Sequence, residues 1–164
     1  MSFVAILMGS KNDWPVMQAT TEVLTTLGVG FEVRVSSAHR TPAATAEYVA
    51  DAVSRDCAVF ICAAGMAAHL AGAVAAHTVR PVIGVPIDSG PLVGFDALLS
   101  TVQMPGGIPV ATVAVGKAGA KNAGYLAVQM MAIAQPELTA RLTDERDANR
   151  ENIRLQNDAL QQEL

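Results

Sequence analysis

Along the first 135 residues, short apolar runs rich in β-branched side chains alternate with longer amphipathic or alanine-rich stretches. The runs predict strands at 3–8, 31–36, 58–62, 82–85 and 110–115, and the stretches between them predict helices at 13–27, 42–55, 67–77, 94–103 and 119–134. Several of these strands are apolar on both faces, the pattern of a parallel sheet covered on both sides. Strand and helix alternating five times give a doubly wound α/β domain over residues 1–135. The alanine-rich stretches AAHLAGAVAAH and AGAKNAGYLAVQMMAIA are apolar around most of a helical circumference. In so small a domain that predicts burial against other subunits.

The pattern changes at Pro136. Residues 136–164 contain no glycine and carry 11 of the 26 charged residues, with Leu138, Leu142, Ile153, Leu160 and Leu164 at broken helical spacing. This reads as one helix whose apolar stripe is too thin to be buried by its own domain, so that it lies across neighbouring subunits or projects.

Composition narrows the classes. The chain has 164 residues, enough for one well-buried domain. Half of the residues are hydrophobic, yet no apolar run reaches the roughly 18 to 20 residues that span a membrane. Met1 leads into a strand without a basic stretch, which argues against a signal peptide. Cys57 and Cys62 bracket a single apolar run, so a disulfide between them would distort that strand; reduced, buried thiols in a cytoplasmic protein are the expectation. A formal net charge of −4 gives nucleic acid no general footing, although one local phosphate site stays open.

In an open parallel sheet, ligands sit at the carboxyl ends of the strands. The first exit reads GSKNDW, where Gly9 allows a tight turn, Ser10 offers a hydroxyl, Asp13 can cap the next helix and Pro15 fits its first turn. The second reads SSAHRTP, with Thr41 as the N-cap and His39 and Arg40 in the loop before it. An arginine there can fork onto a phosphate, and a histidine is the side chain suited to moving protons near neutrality. The third reads AAGMAAHLAG: Gly65 lets backbone approach a ligand, and His69 falls in the first turn of the following helix. Singly, each also fits a capped helix, a surface loop or a buried histidine without any ligand. His77 reads as a helix C-terminal residue. The histidines lack metal-ligand spacing, no GxGxxG follows the first strand, and GMAAH lacks the serine of a nucleophile elbow. No metal or cofactor is implied.

The segments MGSKNDW, SAHRTP, AGMAAHLAG, VIGVP, LLSTVQMPGGIPV and GKAGAKNA, in this order and spacing across about residues 3–135, resemble the bacterial N5-carboxyaminoimidazole ribonucleotide mutases of purine biosynthesis. That resemblance implies a flavodoxin-like three-layer α/β/α sandwich with a five-stranded parallel sheet and a C-terminal helical extension. It also implies a cytoplasmic homo-octamer with active sites at subunit boundaries. Ser10, Asp13 and Arg40, with Ser37 and Ala38, would bind a small-molecule ribonucleotide, and His39 would be the acid/base catalyst. Ala64, Gly65, His69 and Leu70 would surround the carboxylate or CO2, and the QMPGG loop would come from a neighbouring subunit. The sequence departs from the common pattern where Asn12 replaces a serine, Met66 a glycine and Ala71 a proline.

The implied reaction moves a carboxyl from a carbamate nitrogen to a ring carbon, which requires one relocated proton and retention of CO2, with Ala67, Ala68 and Leu70 as an apolar lining. Direct carboxylation by free CO2 is the nearest competitor; there a lysine usually follows the histidine and the AAHL segment is missing. A phosphoacceptor receiver would explain Lys117, but the first and third exits read Met-Gly-Ser and Ala-Ala-Gly where a receiver needs carboxylates. For a flavin binder, the loops offer few aromatic platforms. A purely structural oligomer leaves the imidazole- and guanidinium-bearing exits unexplained.

Overall fold

The computed structural model describes residues 2–164. Five parallel strands, β1 (Phe3–Met8), β2 (Phe31–Val35), β3 (Cys57–Gly65), β4 (Val82–Ile87) and β5 (Ala111–Thr112), form one sheet in the order β2-β1-β3-β4-β5. The helices are α1 (Trp14–Thr26), α2 (Pro42–Ser54), α3 (Leu70–Ala75), α4 (Phe95–Val102), α5 (Gly116–Ala132) and α6 (Pro136–Glu163). This strand order is that of the flavodoxin-like fold, and the reversal of direction beside β1 places its switch point between β1 and β3.

Alternation along β1 shows how the three layers are built. Val4, Ile6 and Met8 face one side, where they join α1 and α5 residues such as Met17, Leu24, Ala123 and Val128. Ala5 and Leu7 face the other, against Val49 and Ala52 of α2 and Leu70 and Val74 of α3. α5 lies close along α1. A Cβ on Gly124 would sit 3.0 Å from the Val23 side chain, and the Thr20 hydroxyl donates to the Ala120 carbonyl at 2.6 Å. The alanine-rich face of α5 therefore finds its partner inside the chain and does not need another subunit. Uncovered apolar surface lies elsewhere: Leu92, Val93, and the α4 stripe Phe95, Leu99 and Val102 are exposed.

Four elements have a boundary three residues away from the pattern-based expectation, one of them β3, which runs on from the anticipated 62 to Gly65 and so carries the start of the third exit as strand. β5 keeps only two of six anticipated residues, because it is an edge strand that pairs with Ile83 and Gly84 alone. α3 begins at Leu70 and not at 67, since Met66 takes a left-handed φ of 54° and residues 66–69 form a loop. The helix expected from 119 starts at Gly116, whose φ of 74° makes the turn into it. His77 lies beyond the end of α3, where its backbone amide, not its ring, bonds back to Val74.

α6 packs on α5 only through its first turns. Leu138 is buried and Leu142 half-buried, whereas Ile153, Leu155, Leu160 and Leu164 are exposed. Within one protomer the helix projects. Among the described residues no helix is long and apolar enough to cross a membrane.

Candidate functional site

The parallel register brings four strand ends together. Met8 lies opposite Val35 and Ala63, and Gly65 opposite Ile87, so the segments that follow these strands converge on one edge of the sheet. They enclose a cleft of about 530 Å³ lined by Ser10, Asn12 and Asp13 from the first exit, Ser37 to Arg40 from the second, Ala64 to Ala67, His69 and Leu70 from the third, and Ser89 from the fourth.

The first exit is a 3-10 turn over Lys11–Asp13 closed by a reciprocal pair of bonds. Ser10 Oγ accepts from the Asn12 amide at 3.1 Å, and Asp13 Oδ2 accepts from the Ser10 amide at 3.0 Å. Asp13 thus occupies the cap position of α1, but its carboxylate turns back to Ser10 and does not cap the helix. The residue is only 7% exposed, and burial raises its pKa above the ordinary carboxylate value, partly countered by the Ser10 bond.

The second exit is a closed turn. Thr41 Oγ1 accepts from the Ser37 amide at 3.0 Å and donates to the Ser37 carbonyl at 3.1 Å, so Thr41 ties down its own loop and not the first turn of α2. Beneath it, the buried Ser36 hydroxyl donates to Thr45 Oγ1 at 2.6 Å, which itself donates to the Thr41 carbonyl. On this base, Arg40 reaches across to the Gly9 carbonyl at 3.0 Å and its Nε lies 3.4 Å from Ser37 Oγ. The guanidinium is exposed and has donors to spare for an anion.

His39 Nε2 and His69 Nδ1 are 2.7 Å apart, with ring planes at 81°. One of these nitrogens must donate and the other accept, so the tautomers of two histidines 30 residues apart are coupled. His69 sits at the cap position of α3, one residue before the first turn anticipated for it, with no side-chain bond to that helix. Its ring is thereby free to meet His39.

Ser10, Asp13, Ser37, Ala38, His39, Arg40, Ala64, Gly65, His69 and Leu70 all line this one cleft. Ala68 does not: it is 2% exposed and faces the interior, so of the anticipated apolar lining only Ala67 and Leu70 remain. Ser89 was not anticipated. Its Oγ would lie 1.8 Å from a Cβ on Gly65, so the glycine makes room for a serine hydroxyl rather than only for ligand. The signal was a serine two residues past the end of the fourth strand, in PIDSG. Burial pushes the Cys57 thiol up to about 11 and Cys62 higher still, and both are free, so neither is a nucleophile at neutral pH. A second cleft, about 630 Å³, lies between α5 and α6 around Lys121, Tyr125, Glu145 and Arg146; it contains no histidine and none of the anticipated site residues.

Fold and cleft together define a class: a flavodoxin-like α/β protein with paired imidazoles, a guanidinium and a buried carboxylate at its β1/β3 switch point. The AIR carboxylase family profile matches residues 3–152, and the chain belongs to that family. It is 47% identical to the N5-carboxyaminoimidazole ribonucleotide mutase of Bacillus subtilis, with 96% of this chain and 97% of the relative covered. The proteins of that name from Vibrio cholerae (51% identity, covering 85% of this chain and 86% of the relative) and Mycobacterium tuberculosis H37Rv (54%, covering 85% and 79%) are similar to it as well. Among solved structures, Treponema denticola PurE superposes with a TM-score of 0.88 at 27% identity, covering 98% of this chain and 99% of that one.

Proposed function

We propose that the protein is an enzyme that converts N5-carboxyaminoimidazole ribonucleotide into 4-carboxy-5-aminoimidazole ribonucleotide in purine biosynthesis. The observation that carries this reading is the His39–His69 pair at 2.7 Å, set in the same cleft as Ser10, Asp13 and Arg40. Family membership and the names of the relatives at 47% to 54% identity support it.

Arg40, with donors left beyond its Gly9 and Ser37 contacts, holds the phosphate, and the Ser10 hydroxyl and Asp13 carboxylate hold the sugar. The carbamate N–C bond breaks, its electron pair stays on nitrogen, and that nitrogen takes a proton from His39. The released CO2 is retained beside Ala67 and Leu70, and the electron-rich ring carbon attacks it. His39 then removes the proton from that carbon. The proton lost at carbon balances the one delivered to nitrogen, and one positioned base serves both steps. His69 fixes the tautomer that His39 presents.

The working form is a cytoplasmic homo-oligomer, an octamer by the family resemblance. The exposed α4 stripe, the uncovered length of α6 and the outward-facing Gly106 and Gly107, with nothing within 4 Å of a Cβ built on either, supply the surfaces. The loop at 103–107 does not line its own cleft and would complete a neighbour's.

Turnover of the carbamate ribonucleotide at low bicarbonate, measured on wild type and His39→Asn, tests reaction and catalyst together. Wild type should turn over, and the variant should bind substrate but lose about 100-fold or more in kcat. Activity only at high CO2 would make the protein a direct carboxylase, and near-normal turnover by His39→Asn would remove His39 from the chemistry.

A further inference from the structure

The loop that carries His69 is held by α4, not by the helix it leads into. Met66 has a left-handed φ of 54°, a conformation that costs a β-carbon residue energy and persists only when its surroundings enforce it. Next in line, the amide of the buried Ala68 donates to Ser100 Oγ at 2.9 Å. Ser100 is in the last turn of α4, and its own hydroxyl proton goes to the Asp96 carbonyl at 2.8 Å, which turns an oxygen lone pair toward the loop. The Met66 carbonyl lies 3.4 Å from the same oxygen. Ser100 does not line the cleft and touches neither imidazole. The neighbouring Thr101 is the built-in contrast: it is buried and donates to the Ala97 carbonyl at 2.7 Å, and reaches the Ala68 carbonyl only at 3.5 Å.

We infer that Ser100 is a positioning residue for the imidazole pair: by accepting the Ala68 amide it holds the strained 66–69 loop where His69 Nδ1 meets His39 Nε2. The inference rests on the proposed role of His39. Without that anchor the Ala68 amide is a buried donor with no partner, and the loop relaxes toward a shape that supplies one. The ribonucleotide contacts at Ser10, Asp13 and Arg40 stand on other strand exits and keep their geometry, so the loss falls on the chemical step.

The test compares wild type, Ser100→Ala, Ser100→Thr and Thr101→Val in the low-bicarbonate assay, and records imidazole 15N spectra of each protein. Ser100→Ala should lower kcat by about 10- to 100-fold, as a misplacement of order 1 Å does, with KM nearly unchanged and the hydrogen-bonded His39 and His69 signals shifted. Ser100→Thr, which retains the hydroxyl, should restore both readouts. Thr101→Val should lower Tm without altering kcat or the spectra. Should the alanine variant misfold, Ser100→Cys keeps the volume with a weaker acceptor and reads in the same direction. Wild-type kcat and wild-type imidazole signals in folded Ser100→Ala, or an equal loss of kcat in Thr101→Val, would overturn the inference. A wild type without turnover would instead remove the proposed reaction, and the 15N signals would still decide whether Ser100 sets the pair.

Discussion

The cleft and the distal half of α6 are held together by opposite means. The bonds that bring the cleft's separate segments together join residues far apart in the chain: Arg40 to Gly9 across 31 positions, Ala68 to Ser100 across 32, His39 to His69 across 30. Along α6 the ion pairs are Arg150 with Asp147 and Arg154 with Glu151 and Asp158, all three or four residues apart. Such pairs support a helix by itself. The cleft therefore exists only when the whole sheet exists, whereas α6 is a helix on local grounds and leaves Ile153, Leu155 and Leu160 without cover. Positioned chemistry needs the first kind of construction, and assembly surfaces can be made from the second.

The largest separation of the two should come from Arg40→Ala. A hydrogen bond to a charged group contributes roughly 1.5 to 3 kcal/mol, so KM for the ribonucleotide should rise by about 10- to 100-fold. Tm should hardly move, because the guanidinium is exposed and its contacts are with one carbonyl and one hydroxyl. Steady-state kinetics beside a thermal melt decide the matter. A fall in Tm with unchanged KM would make Arg40 part of the scaffold and not of the binding surface.

At the other end, Ile153→Ser combined with Leu160→Ser should leave unfolding of the dilute protomer unchanged, since neither side chain is buried within it. The variant should lose mass in light scattering where wild type assembles, because those apolar groups are then what a neighbour covers. A lower Tm at the greatest dilution would mean that distal α6 folds back on its own domain after all.

The same contrast explains what could be read from the residues alone. Periodicity located five strands and the helices between them because burial on two faces or one is written into each run; Val4 to Met8 is fully buried and reads as continuous apolar sequence. Convergence of GSKND, SAHR and AGMAAH followed from the rule for strand exits, and the cleft contains all three. What stayed hidden depends on distant partners. Nothing in AAGMAAHLAG distinguishes a helix from 67 onward from a loop, because the deciding contact is Ser100 on α4. Nor does PIDSG reveal that Ser89 fills the space a Gly65 side chain would take. The extent of β5 was over-read for a related reason, in that a six-residue β-branched run needs two neighbours to be used in full and the sheet offers one.

Asp13 offers the smallest effect and the finest test of how the cleft differs from the rest of the fold. Its carboxyl is 7% exposed and burial raises its pKa, with the Ser10 amide as the opposing influence. A carboxyl whose folded pKa exceeds its unfolded value binds its proton more tightly in the native state. Ionised at neutral pH, it therefore costs stability, and that cost is relieved as pH falls through the raised value toward the ordinary 3.8. Asp13→Asn is neutral throughout and can still accept from the Ser10 amide through its carbonyl oxygen. The variant should melt slightly above wild type at pH 7, and the difference should shrink as both are titrated down through the raised value toward the ordinary 3.8. Its affinity for the ribonucleotide should fall at the same time, because with its carbonyl oxygen kept for the Ser10 amide the variant presents an NH2 donor where the carboxylate presents its second accepting oxygen to the sugar hydroxyls. Calorimetric melts across pH, paired with titration of ligand, measure both. A variant less stable at pH 7 would show that the Asp13 charge is supporting the 3-10 turn, and the carboxylate would then belong with the structural bonds of the cleft rather than with its chemistry.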